Sequence, residues 1–118
     1  MKKSEKTKAS QRRMNPQTVA ALKENGADVS KIHKIINVFY ANTEDSAAML
    51  VKTLEDEGFE LIDPGGRLMY QGREHWAVHA ALDMVPAINR LNSMTDRCVD
   101  VAGPYQCEYD GWYTEPVS

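Results

Sequence analysis

Apolar residues alternate with polar ones in three stretches of this chain, and alternation of this kind predicts β-strands. The stretches cover residues 31–41, 59–62 and 74–84. β-Branched and aromatic residues are frequent in them, as is typical of strands. A fourth short strand is expected near the C-terminus, in residues 107–110.

The first predicted strand has two faces of different composition, because successive side chains point to opposite sides of a sheet. Ile36, Val38 and Tyr40 share one face, which we expect to line the core. Asn37 and Phe39 lie on the other, mixed face, which we expect to be open. His33 stands near the strand's beginning and is expected at the surface.

Apolar residues at helical spacing predict two long helices. One follows Thr43, a favourable N-cap, and the other covers residues 86–102. Their expected buried stripes are Ala47, Leu50, Val51 and Leu54 in the first, and Ile88, Leu91, Met94 or Thr95, Cys98 and Val101 in the second. A shorter helix is expected to begin at Asn15-Pro16 and to end at Gly26.

The C-terminal stretch from Cys107 to Trp112 combines several kinds of residue. Alternation places Cys107 and Tyr109 on a buried face, and Glu108 and Asp110 on the opposite face. Asp110-Gly111 is typical of a turn, and Trp112 follows it. Two interpretations remain equally open at this point: a closing strand, or a binding surface built from acids and an aromatic side chain.

The order of the predicted elements is one helix followed by β-α-β-β-α-β. This order is typical of an α+β, ferredoxin-like split βαβ sandwich, with two helices on one face of a four-stranded antiparallel sheet. The other face is then free for solvent or a partner. From alternation, the residues expected on this open face are Asn37, Phe39, His75, His79, Glu108 and Asp110.

Charge is distributed unevenly between the N-terminus and the rest of the chain. The length of 118 residues is typical of a single domain. Residues 1–13 carry six basic residues and one acid. They contain few apolar residues, so we expect a disordered arm followed by one domain over residues 14–118. The domain is strongly acidic, which favours a basic protein partner and makes direct binding of nucleic acid unexpected.

Several sequence features bear on the compartment. No apolar stretch approaches the length of a membrane span, and the basic N-terminus is not followed by the apolar segment of a signal peptide. We therefore expect a cytoplasmic protein without membrane contact. Cys98 and Cys107 are then expected to be reduced, with Cys98 a buried structural thiol.

Catalytic and metal-binding patterns are weak. On a strand His75 and His79 stand ~13 Å apart, too far for one metal ion, so neither a metal nor a cofactor is expected. Residues 63–66 (Asp-Pro-Gly-Gly) indicate a turn rather than a phosphate loop, because no Gly-Lys-Ser/Thr follows. Glu108 and Asp110 could form a carboxylate pair, but solvated acids are the preferred interpretation. We expect no enzyme.

Two blocks of sequence resemble a known family. They are Glu108-Tyr109-Asp110-Gly111-Trp112, and the stretch from Leu22-Lys23-Glu24-Asn25-Gly26-Ala27-Asp28 to Gly58-Phe59-Glu60-Leu61-Ile62-Asp63-Pro64. In order and spacing they resemble the bacterial RraB family, regulators of ribonuclease E activity. The likeness extends from about Leu22 to Trp112. The basic arm is not associated with the family, and the strongly acidic tail that commonly follows the tryptophan in the family is not seen after Trp112.

The resemblance implies the same fold and a non-catalytic module that binds ribonuclease E, or its degradation complex, and modulates RNA turnover. Candidate partner-binding residues are Glu108, Asp110, Trp112, Asn37, Phe39, His75 and His79. Two alternatives remain: an RNA-binding module that uses the basic arm and the sheet face, and a small enzyme that uses the histidines or acids.

Overall fold

Helices cover one face of an antiparallel sheet in the computed structural model of the chain, which describes residues 2–62, 67–70 and 73–118. Within those residues the helices are α1 (Lys3–Glu24), α2 (Glu44–Asp56) and α3 (Ile88–Ala102), and a short 3-10 turn (Gly103–Tyr105) follows α3. The strands are β1 (His33–Ala41), β2 (Glu60–Leu61), β3 (Arg67–Tyr70), β4 (Arg73–Met84) and β5 (Glu108–Tyr113).

The strands are hydrogen-bonded in the order β2-β4-β1-β5, and every pair is antiparallel. β3 pairs with the first part of β4, so it continues the edge that β2 begins. This order is consistent with a ferredoxin-like arrangement, and the predicted α+β class is confirmed. The turn expected at residues 63–66 lies outside the described residues.

The two long helices form where the pattern predicts them. Thr43 caps α2, since its hydroxyl accepts a hydrogen bond from the Ser46 N–H at 3.0 Å. The predicted stripes of α2 and α3 are buried, with Val51 only partly so. Ile88 is the exception: it is the first residue of α3 and remains 43% exposed.

The N-terminal arm differs from the prediction. Residues 3–13 form the first part of α1 instead of a disordered segment, and Asn15 lies in the middle of this helix instead of capping it. The expectation of disorder considered only apolar burial. Three ion pairs, from Lys3, Lys8 and Arg12 to acids of the domain, also hold the segment.

The face of β1 that lines the core is the opposite of the one predicted. Asn37 and Phe39 are fully buried beneath the helices, and Ile36, Val38 and Tyr40 are partly exposed on the other side. Both faces of β1 carry apolar side chains, so the pattern alone does not decide between them. The placement of Asn37 and Phe39 on the open face was therefore wrong.

Hydrogen bonds explain how an asparagine occupies the core. The Asn37 amide donates to the Ala80 carbonyl at 3.2 Å, and its side-chain oxygen accepts from the Tyr109 hydroxyl at 2.6 Å. The Tyr109 ring in turn packs against Phe39, with centroids 5.2 Å apart. A buried amide whose groups are paired avoids most of the cost of desolvation.

His33 is buried as well, contrary to the expectation of a surface residue. Its Nδ1 donates to the Lys31 carbonyl at 2.9 Å, and its Nε2 accepts from the Val117 N–H at 3.2 Å. The Val117 carbonyl accepts from the Asp28 N–H at 2.6 Å. The residues after β5 are thus fixed against the segment that joins α1 to β1.

Among the described residues, none of the helices combines the length and the apolar character needed to cross a membrane.

Candidate protein-binding surface

The face of the sheet opposite the helices, here called the open face, has an apolar and aromatic centre. Strand register determines its members: Val38 lies opposite His79 of β4, and Ile36 lies opposite Tyr113 of β5. The centre consists of Ile36, Val38, Tyr40, His79 and Tyr113, all partly exposed or exposed. Helices α1, α2 and α3 leave these side chains accessible from the other side of the sheet.

Two edge-to-face ring contacts hold the aromatic side chains of the open face. His79 and Tyr113 have centroids 6.3 Å apart and planes at 80°. Tyr40 and His75 have centroids 6.3 Å apart and planes at 64°. His75 itself is largely buried, so His79 is the histidine that this surface presents to a partner. Rings fixed in this way lose little conformational freedom on binding.

A β-bulge directs Asp110 out of the sheet. The β1–β5 register shifts between Val38 and Phe39, where Asp110 is the extra residue. Gly111 follows with φ of 115°, a conformation that favours glycine. Partial burial raises the pKa of Asp110, a hydrogen bond accepted from the Tyr40 hydroxyl lowers it, and the charge of Glu108 raises it. The hydrogen bond with Tyr40, a residue of the open face, places the carboxylate at the edge of that face.

Other acids surround the same centre. Glu108 lies opposite Tyr40 and forms an ion pair with Lys3 at 2.8 Å. Glu60 of β2 is exposed and forms an ion pair with Lys34 at 2.9 Å. Asp83 lies opposite Lys34 and is exposed. An apolar centre with an acidic border is suited to a partner surface that contains apolar side chains and Lys or Arg.

Trp112 lies on the helix-covered side of the sheet, opposite Asn37. Its Nε1 donates a hydrogen bond to the Asn15 side-chain oxygen at 2.8 Å, and its ring packs against the core. The Asn15 amide donates to Asn92 at 2.9 Å and to Thr95 at 3.3 Å. Through Asn15, Trp112 therefore connects β5 to α1 and α3, so its side chain stabilises the packing of the helices on the sheet.

The described residues offer little for nucleophilic or metal chemistry. Both thiols are free and buried; burial raises the pKa of Cys107 to about 11 and that of Cys98 still higher. A thiol with a raised pKa is a poor nucleophile at neutral pH. Within residues 2–62, 67–70 and 73–118, no three His, Cys, Asp or Glu side chains lie close enough together to hold a metal.

The structure brings some of the predicted site residues together and separates others. His75, His79, Glu108 and Asp110 lie on the open side, whereas Asn37, Phe39 and Trp112 lie on the covered side. Sequence reasoning missed Ile36, Val38, Tyr40 and Tyr113. The missing information was the register: once Val38 is paired with His79, the alternation of β1 places Ile36 and Tyr40 beside it.

Comparison with known proteins supplies the family. The family model described as Regulator of ribonuclease activity B matches residues 12–114. A relative of that name from Alteromonas mediterranea is 26% identical over 104 residues, which are 86% of this chain and 79% of the relative. Another of that name, from Pseudoalteromonas atlantica, is 26% identical over 100 residues, 85% of this chain and 86% of the relative. The match to the family model includes all the strands described above, β1 to β5, and the chain belongs to the RraB family.

Proposed function

We propose that this chain is a non-catalytic regulator that binds ribonuclease E and inhibits or modulates RNA degradation. Its family and two relatives carry the name Regulator of ribonuclease activity B, and they match almost the whole domain. The observation that carries a binding mechanism is the open face, where partly exposed rings of β1, β4 and β5 are bordered by carboxylates.

The two parts of this surface have different tasks in the proposed complex. Burial of the Tyr40, His79 and Tyr113 rings against the partner supplies most of the affinity, since aromatic side chains dominate interface energetics. Asp110 and its acidic neighbours increase the association rate of an Arg- or Lys-rich partner segment and orient it. The predicted effect of salt is therefore mainly on the association rate.

A binding experiment with purified ribonuclease E tests both parts. We expect His79→Ser with Tyr113→Ser to weaken binding at least about tenfold through faster dissociation, because the aromatic contact area is lost. Asp110→Asn should slow association at low salt and have little effect at high salt. Surface plasmon resonance at two salt concentrations separates the association rate from the dissociation rate. An RNA decay assay should rank the variants in the same order as their affinity for ribonuclease E.

Glu44→Gln is the matched control for charge. Glu44 is an exposed acid in the first turn of α2, on the side of the sheet opposite to the open face. Its neutralisation should leave both rates unchanged. If folded His79→Ser/Tyr113→Ser protein binds as tightly as the native chain, the interface lies elsewhere. If the native chain itself does not bind ribonuclease E, the proposed function is wrong.

An RNA-binding module is the alternative that the aromatic rings of the open face favour, since bases stack on such rings. The contacts of the basic segment oppose it: Lys3, Lys8 and Arg12 are engaged with acids of the same chain. We expect fluorescence anisotropy with a short single-stranded RNA to show no salt-sensitive binding. Binding that is lost in Tyr40→Ala would favour the alternative.

A further inference from the structure

The two halves of α1 are held to the domain in different ways. Residues 14–24 bury Asn15, Val19 and Leu22 against the domain. Residues 3–13, here called the N-terminal segment, bury only Gln11. Pro16 lies just after the junction, and a proline inside a helix removes one backbone hydrogen bond, so the two halves are weakly coupled there.

The N-terminal segment is fixed by a row of ion pairs. Lys3 contacts Glu108 at 2.8 Å, and Lys8 contacts Asp100 at 2.6 Å. The Arg12 guanidinium forms two hydrogen bonds with Asp96, one of them from Nε at 3.2 Å. From Lys3 to Arg12 the basic residues follow the chain direction of α1, whereas their acidic partners run in the reverse order, from Glu108 of β5 to Asp96 of α3. The segment therefore lies antiparallel to α3.

A groove of about 380 Å³ lies beneath the first turns of this segment. Val99 and Ala102 of α3 and Tyr109 of β5 supply apolar lining, and Lys3 and Thr7 line it from the side of α1. Asp96, Asp100 and Glu108 border the same side of the domain. Together the groove and these three acids, here called the acidic groove, are complementary to a helix with basic residues along one side.

The segment is also peripheral to the family domain. The family match begins at residue 12, so Lys3 and Lys8 precede it, whereas all three acids lie within it. The acidic surface thus belongs to the shared domain, and two of its three basic contacts come from residues before that domain.

We propose that the acidic groove is a docking site for a Lys/Arg-rich helix of a partner protein, and that the N-terminal segment occupies it as an intramolecular competitor. The groove lies on the helix-covered side of the molecule and shares only Glu108, at the edge of the sheet, with the border of the open face. The proposal therefore goes beyond the open face and does not depend on the identity of the partner there. The contacts that hold the segment are exposed ion pairs, which are weak individually and screened by salt. A partner helix with comparable charges and additional apolar contacts can therefore displace it.

The test uses the full chain and a fluorescein-labelled, alanine-based helical peptide. The peptide carries Lys, Lys and Arg at the spacing of Lys3, Lys8 and Arg12, and a second peptide carries Gln at those positions. The variant Lys3→Gln/Lys8→Gln/Arg12→Gln removes the internal competitor's charges. We expect it to bind the basic peptide at least about tenfold more tightly than the native chain, because a tethered competitor acts at millimolar effective concentration.

Two further variants make the result specific. Lys2→Gln/Lys6→Gln/Arg13→Gln makes the same change in net charge within the segment and at the residue just before it. These three residues form no ion pair among those described, so this variant should bind like the native chain. Adding Asp96→Asn and Asp100→Asn to the first variant should abolish peptide binding. Circular dichroism checks that each variant is folded.

Alkylation of Cys107 reports the position of the segment directly, since this thiol lines the groove and Cys98 is fully buried elsewhere in the core. Cys107 should react faster in Lys3→Gln/Lys8→Gln/Arg12→Gln than in the native chain, while Cys98 stays unreactive. Equal peptide affinity in the native chain and this variant, or binding that survives loss of Asp96 and Asp100, would overturn the proposal. So would a dimer of the native chain that this variant dissolves, because the segment would then serve self-association.

Discussion

The two faces of β1 use the same kinds of side chain for different purposes. On the covered face, Phe39 is fully buried against Tyr109, and Asn37 has its amide groups paired. On the open face, Ile36 and Val38 are only partly buried and do not belong to the core cluster beneath the helices. Apolar residues along a strand therefore predict a face whose burial is favourable. They do not predict whether the chain's own helices or a partner protein covers that face.

The largest predicted contrast is between neighbouring residues of β1. Phe39→Ala should lower the free energy of unfolding by about 3–5 kcal/mol, because it removes a buried ring and leaves a cavity. Val38→Ala should lower it by about 1 kcal/mol or less, because Val38 is already partly exposed. Urea denaturation of both variants measures the difference. Equal losses would contradict the difference in burial between the two faces.

A smaller contrast is expected between Trp112 and Tyr113, consecutive residues on opposite faces of β5. Trp112→Phe keeps a ring but removes the hydrogen bond to Asn15, and should lower the free energy of unfolding by about 1–3 kcal/mol. Its binding to ribonuclease E should be unchanged. Tyr113→Ser should have the reverse effect, with little change in unfolding and weaker binding. Should Trp112→Phe weaken binding without changing stability, Trp112 would belong to the interface.

The smallest predicted effect is a dependence on pH that has opposite signs at two aspartates. The pKa of Asp110 is raised in the folded state, chiefly by partial burial, so the proton stabilises the folded chain. The stability that this carboxyl contributes is present below its ordinary pKa of 3.8 and is lost as the pH rises through its higher folded value. The pKa of Asp28 is lowered, chiefly by hydrogen bonds from Ser30, so its contribution appears as the pH rises.

Asp110→Asn and Asp28→Asn separate the two contributions, since all other carboxyl groups cancel in the difference from the native chain. From acidic to neutral pH, Asp110→Asn should gain stability relative to the native chain, and Asp28→Asn should lose it. Thermal midpoints measured across this range give the sign directly. A common sign for both variants would contradict the two environments described here.

The sequence predicted the order of elements well and the roles of individual faces less well. Helix α2 was predictable because the Thr43 cap and one apolar stripe agree, and α3 was predictable from its apolar stripe alone. β1 has two apolar stripes, so its orientation depends on a pairing with residues far along the chain. The N-terminal segment was missed for a similar reason: its anchors, such as Asp96 and Asp100, belong to another helix.

The position of β1 at the centre of the sheet has a consequence for how the chain acquires its structure during synthesis. Asn37 bonds to Ala80, 43 residues later, and to Tyr109, 72 residues later. Neither neighbour exists when β1 leaves the ribosome, so both hydrogen-bonding edges of the nascent strand await partners. Non-local pairing of this kind slows folding, and exposed strand edges favour aggregation. The emergence of β5, which completes the pairing of β1, is therefore the event that ends this vulnerable period.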